Sequence, residues 1–598
     1  MTPYYFLRGA VLFITGLLIY SQTFGFDFVF DDHNFIVNNV YIKNFSHIPL
    51  MWHFYPMTRL VGMYSFAFNY YFNQLHPQGY HIFNFIVHLT GVGLVWALAH
   101  MLFKIVQWLP SKDRLIQELP FLIALLFLVH PCQTQAVSYI SQRFESMATV
   151  LYLATVFCYL LARLSKNRTR KILLFSLSGG FTILGVMTKE VVVTVPLMIV
   201  AVEWILFPKK INKRPYIVLT AGGILLYLLF THLVHTDWRV FLQTIPSESH
   251  DGDLLTPARY LLTQMRVFLT FLRLMVLPIH QNLDYDYPAS TGVFSPPLTF
   301  VGLSVIAGII VLIIKLRRKF PLIAFGLAWI IITFSINLAP RANVIFEHKL
   351  YLISFGFFLA GVSVLSIWIK NRRILTGILW GIMAVLVIVS FERNKVWRDD
   401  FVLWDDAVRG SPHKARPLNN RGFMYIQQGQ LTQAMKDLNL AIAIKPDYAD
   451  AYNNLGRVYF KQGNSTRDIA EYNKAIAINP NFAEAYNNRG AVYSRRGDFV
   501  NAMADYNKAI ALNPNSAQAY NNRGSIFDKQ GNYNQAMADF NKAIAIDPNL
   551  GQAYNNRAVV LYQFKEYYKA LENLRMAQKL GQEVNPKFLS VLKKDIGG

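Results

Sequence analysis

Cysteine is almost missing from this 598-residue chain: Cys132 and Cys158 are the only two, both in or beside apolar segments. That excludes a disulfide framework and a cysteine-based metal site. Charge is scarce as well, with 16% charged residues against 53% hydrophobic and 15% aromatic ones. A soluble globular protein carries about 25% charged residues, so the deficit points to a membrane protein. Acidic residues are the rarer sign, 35 against 58 basic, for a formal net charge of +23. Much of that excess lies in short loops between hydrophobic runs, the pattern of membrane topology, so no nucleic-acid partner is expected. His-Glu-x-x-His zinc spacing, a nucleophile elbow and a P-loop are absent too, and with them the chemistries those motifs support. The first apolar segment lacks a strongly basic start and a small-x-small cleavage site, and reads as a retained span.

What is present is a long series of apolar runs. A helix needs roughly 20 apolar residues to cross the hydrocarbon. Eleven spans are expected, near 5–23, 82–103, 119–131, 146–163, 172–188, 191–207, 216–234, 297–314, 320–338, 350–369 and 374–391. The third is short and closes at His130-Pro131, so a partial or broken span is expected there. Basic clusters follow the even-numbered spans: Lys104 to Arg114, Arg163 to Lys171, Lys209 to Arg214, Lys315 to Lys319, and Lys370 to Arg373. The N-terminus and these loops are therefore assigned to the cytoplasm, and the C-terminal half to the other side. Residues 259–277 are apolar but carry Arg259, Arg266 and Arg273 seven apart, on one helical face. They read as an interfacial or re-entrant helix on the non-cytoplasmic side. Its arginines either meet bulk lipid headgroups or grip the phosphate of a lipid substrate.

With that orientation the unusual polar residues collect on one side. Phe26-Asp27-Phe28-Val29-Phe30-Asp31-Asp32-His33 leaves the first span with Asp31 and Asp32 adjacent. A carboxylate at the hydrocarbon edge costs free energy unless it is wet, paired or used. It is either a solvated loop or a catalytic carboxylate at the membrane surface. The other outer loops hold Arg59, His130, Gln133, Arg143, Glu145, Lys189, Glu190, Asp284, Asp286, Arg341, Glu347, His348 and Lys349. Each alone fits a structural ion pair; together they suggest a polar cleft with carboxylates and phosphate-binding cations.

An ordered set of these motifs carries a resemblance. It comprises Phe30-Asp31-Asp32, Arg59, Gly79-Tyr80-His81-x-x-Asn84-x-x-x-His88, and His130-Pro131-x-x-Thr134-x-Ala136-Val137 through Gln142-Arg143-x-Glu145. Lys189-Glu190, Leu283-Asp284-Tyr285-Asp286-Tyr287-Pro288 and Glu347-His348-Lys349-Leu350-Tyr351-Leu352 complete it. The chain resembles the GT-C polytopic glycosyltransferases, and most closely the transmembrane-and-tetratricopeptide O-mannosyltransferase type with its bacterial relatives. Leu60 stands where that family often has proline, and Lys349 where it often has arginine. The resemblance implies an inverting enzyme using a polyprenyl-phosphate-linked sugar outside the cytoplasm, in a bacterial inner membrane. Such a transfer needs a carboxylate to take the acceptor's proton and cations to hold the leaving phosphate. Asp31 or Asp32 is the candidate base, with a slight lean to Asp32, and Glu145 is a further catalytic carboxylate. Arg59, His81, Arg143, Lys189, Glu190, Arg266, Arg273, His348 and Lys349 are the candidate substrate-binding residues. No cofactor is required; a divalent metal bridging carboxylates and phosphate is compatible with the residues, but no spacing demands one.

From about residue 412 the chain becomes polar and Asn-rich. Pro412, Pro446, Pro480, Pro514 and Pro548 recur every 34 residues, as do Gly422, Gly456, Gly490 and Gly524. That is the period of tetratricopeptide repeats, here 415–448, 449–482, 483–516, 517–550 and 551–584. Asp468 replaces the small residue of Ala434, Ala502, Ala536 and Ala570, so looser packing is expected in the second repeat. Asn420, Asn454, Asn488, Asn522 and Asn556 share one position and would line the concave surface. Such a column can bind a peptide backbone and resembles the asparagine ladder of the nucleocytoplasmic O-GlcNAc transferases, although asparagine is common at this position in such repeats generally.

The expected fold is therefore all-α, a polytopic GT-C-like membrane domain of about eleven spans followed by a tetratricopeptide solenoid. Its parts are a membrane domain at 1–395, a linker at 396–414, five repeats at 415–584 and a cap at 585–598. Trp397 to Asp406 is expected to dock the solenoid onto the membrane domain. The expected activity is transfer of mannose or another hexose from a polyprenyl phosphate to Ser/Thr of proteins, with the repeats binding the acceptor and the spans meeting membrane lipid. The alternatives are a non-enzymatic membrane-anchored scaffold, and an enzyme acting on lipid or polysaccharide.

Overall fold

A computed structural model describes residues 3–108, 115–208, 255–340, 344–463 and 465–597. The chain divides into two compact units, Met1–Pro412 and His413–Gly598. Among the described residues every regular element is a helix; one isolated β-bridge joins Gly292 and Ser295.

Among the described residues of the first unit seven helices are long and apolar enough to cross a membrane, or eight if one bent pair counts as a single span. The expected count of eleven is not confirmed. The spans near 5–23, 82–103, 146–163, 297–314, 320–338, 350–369 and 374–391 each have their helix. The expected span at 172–188 lies in Arg168–Val186, which opens on Arg168, Arg170 and Lys171. That at 191–207 is the α-helix Val195–Leu206, ~18 Å long at 1.5 Å per residue. The span at 216–234, the cluster Lys209 to Arg214, and Lys112, Arg114 and Arg341 lie outside the described residues.

The bent pair lies at the third expected span. Glu118–Val129 and Pro131–Ser138 meet at 57°, because Pro131 lacks an N–H and confines His130 to extended backbone (φ −75°, ψ 130°). Carbonyls released by the break are taken up from neighbouring helices: Ser390 Oγ donates to Val129 O at 2.6 Å, and His88 Nε2 lies 3.4 Å from Leu128 O. That is the condition for interrupting a helix at membrane depth. After the break, short turns run Pro131–Gln133, Thr134–Ser138 and Ile140–Gln142 before the Arg143–Leu164 helix begins.

The Pro321–Phe334 and Leu350–Trp368 helices pack through paired glycines. A Cβ on Gly326 would lie 2.6 Å from Gly356 O, so only glycine permits this approach. Pro257–Val276 buries Phe268, Phe271 and Leu274 on one face. On its other face Arg266 Nη1 donates to Pro288 O at 2.9 Å and Arg273 Nη1 to Ile279 O at 3.0 Å. It is amphipathic and is not one of the spanning helices.

The stretch read as a linker, 396–414, contains the helix Asp400–Gly410. Asp399 caps it by accepting from Val402 N at 2.9 Å, and Leu403, Trp404, Ala407 and Val408 are buried. It belongs to the first unit, which ends at Pro412.

The second unit consists of five helix pairs, from Ala415–Gln427 with Leu431–Ile444 to Gly551–Gln563 with Tyr567–Lys579, followed by Pro586–Gly597. Gly429, Gly463, Gly497 and Gly531 turn each pair with φ between +75° and +80°; in the fifth repeat Lys565 takes that left-handed conformation at +62°. Asp468 is fully buried, as its alanine equivalents are, and its Oδ2 has no hydrogen-bond partner among the described residues.

Candidate active site

Asp31 and Asp32 are held very differently. Asp32 is fully buried, its Oδ2 accepting from Val29 N at 3.1 Å and its Oδ1 from Ser141 N at 2.6 Å. Burial pushes its carboxyl up to about 7, against the pull of those two amides. Asp31 is half-buried, and its backbone N donates to Tyr139 Oη at 3.0 Å. Phe30, just before the pair, has φ +47°, unfavourable for a side chain of this size. Its N–H donates to Asp400 Oδ1 at 2.8 Å and its ring meets Trp404 edge-on at 4.9 Å. His33 Nε2 lies 2.8 Å from Asp400 Oδ2, and that hydrogen bond raises the imidazole above its ordinary value against the effect of burial.

Glu145 and Lys189 form a buried ion pair at 2.8 Å. Burial pulls the Lys189 ammonium down, and Glu145 holds it up. Arg59 reaches Glu190 at 3.6 Å and lies over the Phe144 ring at 5.2 Å. Glu145, Lys189, Glu190 and Lys349 line one small cavity of about 10 Å³, walled also by Val191, Thr333 and Ile336. Two carboxylates and two ammonium groups thus converge from three separate parts of the chain.

The turn at 139–145 ties these groups together. Tyr139 receives Asp31, Ser141 binds Asp32, and Glu145 pairs with Lys189. Beside it, Glu347 accepts from Asn282 N at 2.6 Å, Gln281 Nε2 at 2.9 Å and Tyr285 Oη. His348 N donates to Gln135 Oε1 at 2.7 Å. Asp284 is buried, and Asp286 N donates to Ser411 Oγ at 2.8 Å, which also receives Asn282 Nδ2 at 2.7 Å.

Other expected site residues are placed apart from that cavity. Arg143 is fully buried, donating to Asn84 Oδ1 at 2.6 Å, Tyr80 O at 3.1 Å and Ser65 O at 3.3 Å, with its guanidinium 4.4 Å from the Phe83 ring centre. Its donors are spent inside the protein, which makes it a clamp between helices. His81 is buried in the Pro77–Val106 helix with its ring edge-on to Phe26 at 6.4 Å. Arg266 and Arg273 lie on their own helix against Pro288 and Ile279.

The asparagine column is present but turned partly on itself. Asn454, Asn488, Asn522 and Asn556 each donate through Nδ2 to the asparagine 35 residues earlier, Asn419, Asn453, Asn487 and Asn521, at 2.9–3.0 Å. Asn420 is half-buried, and its Oδ1 accepts from Asn419 Nδ2 at 3.1 Å. The amides therefore stitch repeat to repeat.

The supports of the Asp31–Asp32 loop escaped sequence reading: Asp400, Trp404, Tyr139 and Ser141. Their signal was the tryptophan–aspartate density at 397–406, where Trp397 stacks on Tyr139 with ring centres 5.2 Å apart.

Tetratricopeptide-repeat family models match residues 422–463, 449–482, 483–516 and 517–550. Over 482 residues the chain is 25% identical to "Protein O-mannosyl-transferase F38B6.6" of Caenorhabditis elegans, covering 74% of this chain and 63% of that protein. It is 24% identical over 488 residues to "Protein O-mannosyl-transferase TMTC4" of Mus musculus, covering 72% and 66%. The chain thus spans a little under two thirds of these relatives and resembles them across both of its units. A solved structure of Pseudomonas aeruginosa pilF matches 31% of the chain and 86% of its own at 24% identity and a TM-score of 0.28.

Proposed function

We propose that this chain is a membrane glycosyltransferase that moves a hexose, mannose by its likeness to the O-mannosyl-transferases, from a polyprenyl phosphate to Ser/Thr of proteins. The observation that carries the reading is the cavity shared by Glu145, Lys189, Glu190 and Lys349, beside the turn that also supports Asp31 and Asp32. A leaving phosphate develops charge as its bond to the sugar breaks, and ammonium groups in a dry cavity stabilise that charge strongly. Lys189 and Lys349 fill this role, with Arg59 at the rim. Asp31 is the base that takes the acceptor hydroxyl's proton, because both Asp32 oxygens are already engaged by backbone amides. Asp32 holds the loop. Inversion follows if the acceptor oxygen attacks opposite the phosphate in one step.

A divalent cation fits this reading only in part. Among the described residues no three His, Cys, Asp or Glu side chains cluster as a metal site, and each cavity carboxylate already has a cationic partner. The chemistry assigned here uses this chain's own side chains. The site is read as lying at the non-cytoplasmic face, with the repeats holding the acceptor polypeptide.

The test is transfer by purified full-length protein from a polyprenyl-phosphate mannose to a Ser/Thr peptide, read by mass spectrometry. Wild type should yield a glycopeptide and Asp31→Asn should lose at least a hundredfold in rate. Full activity in Asp31→Asn would remove the base assignment; glycosylation of lipid but never of peptide would transfer the reading to the lipid-acceptor class.

A further inference from the structure

The repeats are nearly identical at their polar joints, so a departure stands out. In the first, third and fourth repeats the arginine after the asparagine column closes on an aspartate of the same repeat. Arg421, Arg489 and Arg523 each place Nε and Nη2 on the two oxygens of Asp437, Asp505 and Asp539, at 2.7–2.9 Å. This is the bidentate arrangement in which guanidinium and carboxylate neutralise one another. The second repeat has Leu455 and Glu471 at these positions and lacks the pair.

The fifth repeat keeps the arginine and loses only the acid. Arg557 Nε donates to Asn573 Oδ1 at 2.8 Å and Nη1 to Asn541 Oδ1 at 2.8 Å. The other end of the Asn573 amide is a donor and is spent on Lys569 O at 2.8 Å. Nη2, which meets a carboxylate in the other three repeats, has no acceptor among the described residues. Nor does Arg557 have an ion pair among the described residues: Glu566 is taken by Lys569 at 2.6 Å, and Glu572 acts on the guanidinium only as a nearby charge. All these groups line one open cleft of about 410 Å³, flanked by Leu561 and Phe564.

We propose that this cleft is a carboxylate subsite, in which Arg557 receives the side chain of an Asp or Glu from an extended polypeptide lying along the repeats. The inference rests on the reading that the repeats hold a polypeptide, and adds to it a preference for an acid at one position. The carboxylate would supply the charge of the missing aspartate from the cleft side, beside Asn573 rather than in its place, accepting from Nη2. The methylene groups of the guest residue would lie against Leu561 and Phe564. A neutral amide in the same place keeps the shape but not the charge, which roughly halves the strength of such a bond.

The test uses full-length protein in detergent and fluorescent Ser/Thr-rich peptides, one with a central Glu and one with Gln, each with a free or amidated C-terminus. Binding is read by anisotropy, without any transfer reaction. The Glu peptide should bind about tenfold more tightly than the Gln peptide, with either C-terminus. The deciding variant is Asn573→Asp, which rebuilds the ion pair of the other repeats. It should preserve or raise the melting temperature yet abolish the Glu-over-Gln preference, so lost folding cannot explain the loss. Equal binding of both peptides by wild type, or an undiminished preference in Asn573→Asp, would overturn the subsite while sparing polypeptide binding. A preference that follows the free C-terminus would replace a side-chain ligand with a chain end. Binding of no peptide at all would sink the polypeptide reading together with the subsite.

Discussion

Asp31 and Asp32 are adjacent in sequence, yet one is anchored from both oxygens and the other is half-exposed. The difference has a measurable pH signature. A carboxyl near 3.9 in the unfolded chain and about 7 in the folded one means that the folded state binds the extra proton between those values. The stability this provides is complete below about pH 4 and is lost as pH rises through about 7. His33, also raised, acts in the same direction. In Asp32→Asn the first contribution should vanish, so wild type should lose stability relative to the variant on going from pH 5 to pH 8. Over that interval only the rise from pH 5 to about 7 counts, roughly 3 kcal/mol at most at 1.36 kcal/mol per unit. Parallel thermal-melting curves for the two proteins would refute it. Lys189 offers a second measurement. Replacing it with Met leaves Glu145 as an uncompensated buried carboxylate, at a cost of about 3–5 kcal/mol. The double variant Lys189→Met/Glu145→Leu should recover most of that loss in the same melts. At this scale the sequence spoke clearly about which residue types mattered, through Lys189-Glu190 and Arg143-x-Glu145. It could not say which partner each would take: Arg143 was as plausible a phosphate ligand as Lys189, and only packing among Asn84, Tyr80 and Phe83 made it internal.

Among the elements, Asp400–Gly410 has the largest consequences for its length. Through Asp400 and Trp404 it holds Phe30 in a left-handed conformation, and through Ser411, just beyond its end, it holds the 282–286 loop. Asp400 is therefore a positioning residue for Asp31. Asp400→Asn should lower kcat about tenfold with little change in KM for the lipid donor, because the amide can accept only one of the two bonds. An unchanged kcat would show that the loop keeps its shape without this support. In the repeats Asp468 sits where alanine fits, with an oxygen lacking any hydrogen-bond partner among the described residues. Asp468→Ala should stabilise the second repeat by about 1–3 kcal/mol, visible as slower hydrogen exchange in residues 449–482. The repeats were readable because their period and proline punctuation repeat five times. The break at His130-Pro131 was readable because proline states its own restriction. The helix at 400–410 was not, since its short amphipathic pattern between two large regions looks like a linker until its partners are known.

For the molecule as a whole, the positive-inside pattern makes an orientation prediction. The protein has two natural cysteines, Cys132 buried and Cys158 half-buried, so single cysteines can be introduced into a nearly silent background. A cysteine at Lys166 should react with an impermeant maleimide only from the cytoplasmic side, and one at Asp27 only from the opposite side. Labelling of both from one side would invert or dismantle the topology. The span count was the least legible property of the whole chain. Val195–Leu206 is shorter than the seven candidate spans, and Arg168–Val186 opens on basic residues, so these two expected spans stand apart from the seven.

The path after the broken span has a further consequence. Within 131–141, Gln133 is bonded to Ser354, Gln135 to His348, Ser138 to Asn394, Tyr139 to Asp31 and Ser141 to Asp32. The five ties reach three separate stretches of chain, 31–32, 348–354 and 394, so this short run is a common datum from which the parts of the site take their positions. Errors introduced there are shared rather than local. Substitutions at Gln133, Ser138 and Tyr139, whose ties are made by side chains, should therefore be strongly non-additive with one another, and a second change in this run should cost far less than the first.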